Sequence, residues 1–395
     1  MPATAAAFLV FLLFAPAAQG SLPPAHEILA DAKIANDHFT AHPSGLCTTN
    51  PCAWTVSTYH MGLLELFRST QNTSLYDYTY NWAKSNDWRL CYNGPAGQQS
   101  DQTSVETADG GPPPIKPKGA DDADNQIIAA IYAELFAYDP KPEYIANAVE
   151  VLSKEINGTK TNYWSWIDAI HMGMNAYSRV GNATGDDRFF ETMFKFYQVT
   201  ALDGNPPDGI NTFRMWNNTV GLFYRDDRFL GSNTFWGRGN GWAITAMVRS
   251  LQVLPAGAKF DADRHEYSTK LFTMAHALKS VQSENGCWGA SLMNATAFPG
   301  PETTGTANFC YALAYGVRTG ILDRSSFLPA VQKAWQCLSK TALQPSGLVG
   351  YCQPCGGAPN ATTAAETSDF CVGQFLLAAT EVARLSEVLA AEEGA

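Results

Sequence analysis

The most constraining feature of this sequence is a helical pattern that repeats along almost the whole chain. After residue 20, apolar side chains recur at spacings of three and four residues in twelve successive segments, as in amphipathic helices. The predicted helices cover residues 24–41, 54–69, 73–86, 123–138, 141–155, 165–181, 186–201, 238–254, 261–283, 304–319, 324–343 and 367–389. Consecutive helices pair through short polar turns, and the pairs recur about every fifty residues, which predicts a repeat architecture.

Six helical hairpins can bury their edges by closing into a ring or by stacking as an open solenoid. An open solenoid needs end hairpins with a polar outer face, and neither end of this chain has one. We therefore predict an all-α fold, an (α/α)6 barrel formed by a single domain over residues 21–395. Residues 92–122 are rich in glycine and proline and are predicted to form a loop over the barrel mouth.

The N-terminal residues predict a secreted protein. Residues 1–20 contain an apolar run that ends in the small-residue triplet Ala18-Gln19-Gly20, as in a secretory signal peptide. A membrane anchor is the alternative, but the apolar run is shorter than a bilayer span requires. Six Asn-x-Ser/Thr sequons are consistent with a glycosylated extracellular protein. They begin at Asn72, Asn157, Asn182, Asn217, Asn294 and Asn360.

The nine cysteines fit the same compartment, because an oxidising environment favours disulfides. An odd number leaves one cysteine unpaired. The stretch Cys352-Gln-Pro-Cys355 could alternatively bind zinc, but no second CxxC pair accompanies it. We therefore predict disulfides and no metal.

The net charge of −11 argues against nucleic acid or an anionic membrane as a partner. Aromatic residues make up 12% of the chain and charged residues 16%. Such a composition is typical of carbohydrate-binding proteins, whose aromatic rings stack on sugar faces, and equally of a large ordinary core. We expect a monomer that acts on a carbohydrate.

The even-numbered helices of an α/α barrel share one direction, so their first turns meet at one mouth. Asp, Ser and Thr are common helix caps, so a capping role stays open for the aspartates there. Capping does not explain the glycines and tryptophans that surround Arg238. The polar and aromatic starts are Asp122-Ala-Asp124, Trp166-Ile-Asp168, Trp236-Gly-Arg238-Gly-Asn240-Gly-Trp242, Glu302-Thr-Thr and Thr367-Ser-Asp369.

Two carboxylates at a sugar-sized mouth indicate glycoside chemistry, with one as acid and the other as base. An arginine on the same face indicates an anionic sugar such as a uronate. The chain has no Gly-x-Ser-x-Gly elbow, His-Glu-x-x-His zinc site or phosphate-binding glycine loop. His171 follows Asp168 by about one turn, and beside Met172 and Met174 it fits a core position better than a catalytic one.

These motifs, in this order, resemble those of glycoside hydrolase family 105, the unsaturated rhamnogalacturonyl hydrolases. That family is related to family 88, the unsaturated glucuronyl hydrolases. The resemblance covers nearly the whole chain after residue 20. It is carried by Trp166-Ile-Asp168, the Trp236–Trp242 stretch, Pro301-Glu-Thr-Thr-Gly-Thr-Ala307, Tyr311-Ala-Leu-Ala-Tyr-Gly316 and Asp369-Phe-Cys-Val-Gly-Gln-Phe-Leu-Leu-Ala378.

The resemblance implies an (α/α)6 barrel that needs no cofactor. Its substrate would be a 4,5-unsaturated uronic acid, left by a polysaccharide lyase at the non-reducing end of pectin or a similar acidic polysaccharide. Asp168 matches the general acid/base that protonates C4 before water adds at C5. Asp124 matches the second aspartate, with Asp121 and Asp122 as competitors. Implied substrate contacts are Trp166, Arg238, Trp242, Asn240 and Tyr59.

One stretch departs from the family pattern. Many members have a histidine where this chain has Gly221-Leu222-Phe223-Tyr224-Arg225, and Arg225 offers a carboxylate-binding group in its place. The residues also leave the pKa of Asp168 open, because tryptophan walls raise it while the helix dipole and Arg238 lower it. The alternative functions are a conventional inverting glycosidase on the same barrel and a non-catalytic carbohydrate-binding relative.

Overall fold

The computed structural model describes residues 21–48, 50–91, 122–203 and 214–394. The predicted signal peptide and nearly all of the predicted 92–122 loop lie outside these residues. Within them all twelve predicted helices are present, the fourth as α4 and α5. The helices are α1 Ala25–Ala41, α2 Trp54–Thr70, α3 Thr73–Ser85, α4 Ala123–Gln126, α5 Ile128–Tyr138, α6 Ala146–Ile156, α7 Ile167–Thr184, α8 Asp187–Gln198, α9 Gly237–Leu251, α10 Asp261–Ser280, α11 Thr303–Arg318, α12 Arg324–Cys337 and α13 Asp369–Glu393.

Six helices form a closed inner ring, in which α2, α5, α7, α9, α11 and α13 each pack on the next and α13 packs again on α2. This last contact confirms the predicted (α/α)6 barrel and excludes the open solenoid. The seam depends on two glycines, because a Cβ on Gly62 of α2 would collide with the carbonyl oxygen of Gly373 in α13. Glycine at both positions lets the two backbones approach closely enough to close the ring.

The ring is covered by the outer helices α1, α3, α6, α8, α10 and α12. An outer helix buries one face, whereas an inner helix is buried on all sides, and the two kinds of helix differ in sequence accordingly. The outer helix α8 buries one stripe at helical spacing, made of Phe189, Phe190, Met193, Phe196 and Tyr197. The inner helix α11 buries every residue from Thr303 to Val317, and it is correspondingly rich in small and apolar residues on all sides.

The inner helices all begin at one end of the barrel, the mouth, and end at the opposite end, the floor. A buried ionic network crosses the floor. Glu134 of α5 pairs with Arg249 of α9, with Arg179 of α7 at 3.0 Å and with Arg68 of α2 at 3.2 Å. Burial raises the pKa of Glu134, but the three arginines outweigh burial and leave that pKa below its ordinary value.

Removing this central carboxylate is expected to destabilise the fold. Glu134→Gln removes one of the two carboxylates that neutralise these arginines, Glu65 being the other, which costs about 3–5 kcal/mol in the free energy of unfolding. Chemical denaturation measures the loss. The control is Glu150→Gln on α6, whose exposed side chain pairs with the exposed Lys154. This substitution should change stability little. Equal effects of the two substitutions would show that the network does not stabilise the barrel.

Four disulfides join Cys47 to Cys355, Cys52 to Cys91, Cys287 to Cys337 and Cys352 to Cys371. Cys310 is unpaired and buried in α11, which confirms the expectation of one unpaired cysteine. Cys352 and Cys355 pair with different partners, so the zinc alternative for this pair is wrong. No helix among the described residues is long and apolar enough to cross a bilayer.

Candidate active site

Asp168 lies in the first turn of α7, at the mouth. The N-cap of α7 is Trp166, whose backbone is extended, and no side chain caps the helix. Asp168 therefore does not serve as the cap. Its side chain is 13% exposed, and its Oδ2 atom has no hydrogen-bond partner among the described residues. A nearly buried carboxylate oxygen without a hydrogen-bond partner is unusual, because burial of an unsatisfied polar atom is costly.

The pKa of Asp168 is raised above its ordinary value. The largest cause is burial, and the negative charge of Asp124 adds to it, whereas Arg225, Arg238 and the backbone N–H of Asp168 act in the opposite direction. Burial thus outweighs the arginines, which answers the question that the sequence left open. A raised pKa lets the carboxyl group keep its proton to higher pH than an ordinary aspartic acid, as suits a general acid.

Arg225 is the charged side chain that contacts Asp168 directly. Its Nε atom lies 3.5 Å from Asp168 Oδ2, and 17% of its side chain is exposed. The backbone carbonyl of Arg225 accepts a hydrogen bond from the N–H of Ile167 at 2.9 Å, which fixes this segment to the start of α7. Asp226 pairs with Arg225 and, at 2.7 Å, with Arg228. Arg225, which the sequence analysis named as a carboxylate-binding group, is thus a partly exposed cation beside the candidate acid.

The second carboxylate is Asp124, in α4 at the same mouth. α4 packs on α7, and the charge of Asp124 acts on Asp168. Asp122 is the N-cap of α4 and accepts the N–H of Asp124 at 3.0 Å. Capping therefore explains Asp122, while Asp124 stays the candidate for the second catalytic carboxylate. Asp121 lies outside the described residues.

Arg238 is occupied by contacts within the protein in this structure, and its predicted contact with a substrate stays a prediction. Its side chain is fully buried, between the rings of Trp236 and Phe370 at 4.7 and 5.1 Å. The guanidinium donates to the carbonyls of Gln353 at 2.8 Å, Pro354 at 3.0 and 3.1 Å and Gly356 at 2.9 Å. Arg238 thus fastens a loop to the mouth and acts on Asp168 only through its charge.

Asn240 and Trp242 are also buried, and their predicted role in binding a substrate stays a prediction. Asn240 holds the strand pair formed by β1 (Trp216–Asn217) and β2 (Leu222–Phe223), because its side chain accepts from Phe223 N at 2.8 Å and donates to Phe223 O at 3.0 Å. Trp242 is 0% exposed and packs on His171, with ring centroids 4.6 Å apart. Both residues therefore lie beneath the surface of the mouth and support it.

Tyr59 faces the outer helix α1, so the structure shows no exposed surface for its predicted substrate contact, which stays a prediction. It lies in the second turn of α2 and is 2% exposed. Its hydroxyl donates to Asn36 Oδ1 of the outer helix α1 at 2.7 Å. Trp166, in contrast, keeps part of its surface exposed at the start of α7, beside the candidate acid, as a substrate contact requires.

His171 is a core residue, in agreement with the sequence-based interpretation. Burial lowers the pKa of His171 to about 3, so its ring is neutral at neutral pH. No group of three or more His, Cys, Asp or Glu side chains in the described part of the chain is arranged to hold a metal ion.

One mouth residue, Trp54, escaped the sequence analysis. Trp54 begins α2 and is partly exposed, with its ring 5.1 Å from Phe370 and 6.1 Å from Trp242. It belongs to the same pattern of tryptophans at inner helix starts as Trp166, and that pattern was the available signal. Asp369, at the start of α13, is 2% exposed, and burial raises its pKa to about 6.

A closed (α/α)6 barrel whose mouth combines two interacting carboxylates, an arginine and exposed tryptophans has the architecture of a glycoside hydrolase. The family model described as Glycosyl Hydrolase Family 88 matches residues 30–386. The chain belongs to this family and is a glycoside hydrolase.

Individual relatives agree with this assignment. The unsaturated 3S-rhamnoglycuronyl hydrolase of Formosa agariphila is 26% identical over 376 residues, covering 88% of each chain. A family 88 glycosyl hydrolase structure from Bacteroides vulgatus is 30% identical with a TM-score of 0.78 and covers 92% of this chain and 100% of that one. A family 105 glycoside hydrolase of C. acetobutylicum shares the fold at 21% identity, with a TM-score of 0.64, covering 89% of this chain and 98% of its own. The resemblance to families 105 and 88 is thereby confirmed.

Proposed function

We propose that this enzyme removes a 4,5-unsaturated uronic acid from the non-reducing end of oligosaccharides that a lyase has cut from pectin, rhamnogalacturonan or a similar acidic polysaccharide. The observation that carries the proposal is the pair formed by Asp168, a nearly buried carboxyl with a raised pKa, and Arg225, whose Nε lies 3.5 Å away. The relative from Formosa agariphila, whose name specifies an unsaturated rhamnoglycuronyl substrate, supports the same substrate class.

The reaction we propose is a hydration. Protonated Asp168 gives its proton to C4, and the electrons of the C4=C5 double bond form the new C4–H bond. The positive charge left at C5 is shared with the ring oxygen, and water attacks C5 while losing a proton to a carboxylate at the mouth. The resulting hemiketal opens by breaking the bond from C5 to the ring oxygen. The hemiacetal left at C1 then collapses and releases the neighbouring sugar.

The charged groups at the mouth suit these steps. Arg225 is partly exposed and offers the substrate carboxylate a planar guanidinium, the geometry that carboxylates bind best. Asp124 is nearly buried at 9% exposure, and its negative charge favours positive charge at C5. Trp166 and Trp54 provide partly exposed aromatic surfaces for the sugar rings.

A pair of matched disaccharides tests the proposed function. One carries the C4=C5 double bond at its non-reducing end, and the other is its saturated counterpart. Cleavage of the unsaturated disaccharide alone, with loss of enol absorbance equal to the sugar released, supports hydration. Equal cleavage of both substrates would identify a conventional inverting glycosidase. Binding without any cleavage would identify a carbohydrate-binding relative.

Asp124→Asn is expected to lower kcat by about 100-fold and to change its pH dependence. A proton donor works only while protonated, so kcat falls as the pH rises through the pKa of Asp168. Asp124 raises that pKa, and its neutralisation should therefore move the alkaline limb of the profile to lower pH. The control is Asp122→Asn, which keeps a good helix cap and should leave the limb in place. An unmoved limb in Asp124→Asn would contradict the proposed interaction.

We also propose that the protein is secreted, glycosylated and monomeric. The four disulfides fit an oxidising compartment, and sequon residues Asn72, Asn157, Asn182 and Asn360 are exposed, as glycosylation requires. Expression of the full chain in a eukaryotic host tests all three properties. The expected result is protein in the medium whose mass falls on enzymatic deglycosylation and which elutes as a monomer, whereas retention inside the cell would contradict secretion.

A further inference from the structure

A short loop at the mouth is held by two disulfides, and we call residues 352–357 the tethered loop. Its first residue, Cys352, is bonded to Cys371 in α13, and Cys355 is bonded to Cys47 in the segment that precedes α2. The two bridges connect the loop to parts of the chain that are separated by 19 and 308 residues, respectively. The loop is therefore fixed both to an inner helix and to the N-terminal part of the barrel.

Buried hydrogen bonds also hold the tethered loop in place. Arg238 donates to three of its carbonyls, as described above. The side chain of Gln353 is 1% exposed; its Oε1 accepts from Trp236 Nε1 at 3.0 Å and its Nε2 donates to Ala358 O at 2.7 Å. Its backbone N–H donates to Glu302 Oε1 at 3.2 Å. A loop with this many buried bonds has little freedom to move.

The far end of the tethered loop touches the candidate active site. Gly357 packs directly against the guanidinium of Arg225, because a Cβ on Gly357 would lie 2.9 Å from Arg225 Nη2 and 3.1 Å from Cζ. Arg225 in turn contacts Asp168. A continuous set of contacts thus runs from the two disulfides through Gly357 and Arg225 to the candidate general acid.

We propose that the tethered loop positions Arg225 against Asp168 and that Gly357 is a positioning residue. Because Gly357 has no side chain, the guanidinium of Arg225 has room to lie beside Asp168. This inference deepens the proposed function and rests on it for its activity readout. It assigns a role to Arg238 and to the disulfides of Cys352 and Cys355, which hold the loop in place.

Displacement of Arg225 should affect both binding and proton transfer. The charges that face Asp168 are Arg225 from the segment after β2, Asp124 from α4 and Arg238 from α9, and Asp226 pairs with Arg225. Arg225 opposes the effect of burial on Asp168. If the guanidinium moves away, Asp168 holds its proton to higher pH, and the substrate carboxylate loses part of its binding site.

Two adjacent glycines provide a matched test. Neither Gly356 nor Gly357 has a positive φ, and a Cβ on Gly356 meets no atom within 4 Å. Gly357→Ala is expected to raise KM and lower kcat/KM by roughly tenfold, and to move the alkaline limb of kcat upward, because a displacement of about 1 Å at a reacting centre has large effects. Gly356→Ala retains the carbonyl that Arg238 uses and should behave like the unmodified enzyme.

A double-mutant cycle separates positioning from a general structural effect. In an Arg225→Ala background the added methyl group has no guanidinium to displace, so Gly357→Ala should then have no further effect. A crystal structure of Gly357→Ala provides a readout that does not depend on any substrate. The distance from Arg225 Nε to Asp168 Oδ2 should exceed 3.5 Å. An unchanged distance, or an effect that persists without Arg225, would overturn the inference even if the proposed function holds.

The disulfides give the second arm of the test. Replacing Cys47 and Cys355 together by serine should raise KM and move the alkaline limb in the same direction as Gly357→Ala. The control removes Cys287 and Cys337, whose bridge ties a different loop to α12. Equal kinetics of the two double variants would show that the tether does not position the site. Absence of activity in the unmodified enzyme would refute the proposed function and leave the crystallographic test intact.

Discussion

Asp168→Asn is expected to lower kcat by about 1,000-fold or more, because an amide cannot give the proton that forms the new C4–H bond. Substrate binding should change much less, since Arg225 and the tryptophans at the mouth are retained. Stopped assays with the unsaturated disaccharide measure kcat and KM separately. An Asp168→Asn variant that keeps normal turnover on its best substrate would show that Asp168 is not the acid.

The same substitution should not weaken the fold. Burial raises the pKa of Asp168, which means that its ionised form is unfavourable in the folded state, and this penalty is absent for a neutral amide. The thermal unfolding midpoint of Asp168→Asn should therefore stay unchanged or rise. Asp263 provides a matched control, because burial raises its pKa to about 6 near the start of the outer helix α10. Asp263→Asn should keep full activity.

Arg225→Ala is expected to lower kcat/KM for an unsaturated uronate by about 100-fold, mainly through KM, because a charge-assisted bond to the substrate carboxylate is lost. The alkaline limb of kcat should also move to higher pH, since Arg225 is the largest influence that lowers the pKa of Asp168. The two effects together distinguish Arg225 from a residue that only binds substrate. Full pH profiles of kcat and kcat/KM measure both.

Arg228→Ala is the control for this experiment. Arg228 shares the carboxylate of Asp226 with Arg225, but 49% of its side chain is exposed. Its removal should alter KM by less than about threefold, as for other exposed ion pairs. Identical effects of the two alanine substitutions would show that Arg225 serves only as a structural partner of Asp226.

The barrel could be predicted because it is built from helices, and helices are recognisable from the local spacing of apolar residues. Apolar periodicity defined each helix, and the regular alternation of helices placed their starts at one mouth. That reasoning brought Asp168 and Asp124 to the same place, and the structure has them there. It also separated the core histidine His171 from the acid one turn before it.

Long-range loop contacts could not be predicted in the same way. Arg238 has the position of a mouth residue, but its guanidinium is taken by the carbonyls of a loop more than a hundred residues later in the chain. Tyr59 lies in the second turn of α2, where its side chain faces the outer helix α1. Periodicity shows which helix carries a residue, whereas the partner of its polar atoms depends on how the loops pack.

The most direct test of the central claim is the fate of the proton that Asp168 delivers. The unsaturated disaccharide is turned over in D2O, and early samples of the released uronic acid are compared by NMR with an enzyme-free control. Hydration predicts one deuterium at C4, in a single configuration, before exchange beside the new ketone can add more. Release of the sugar with no deuterium at C4 would show that the double bond was never protonated and would contradict the mechanism.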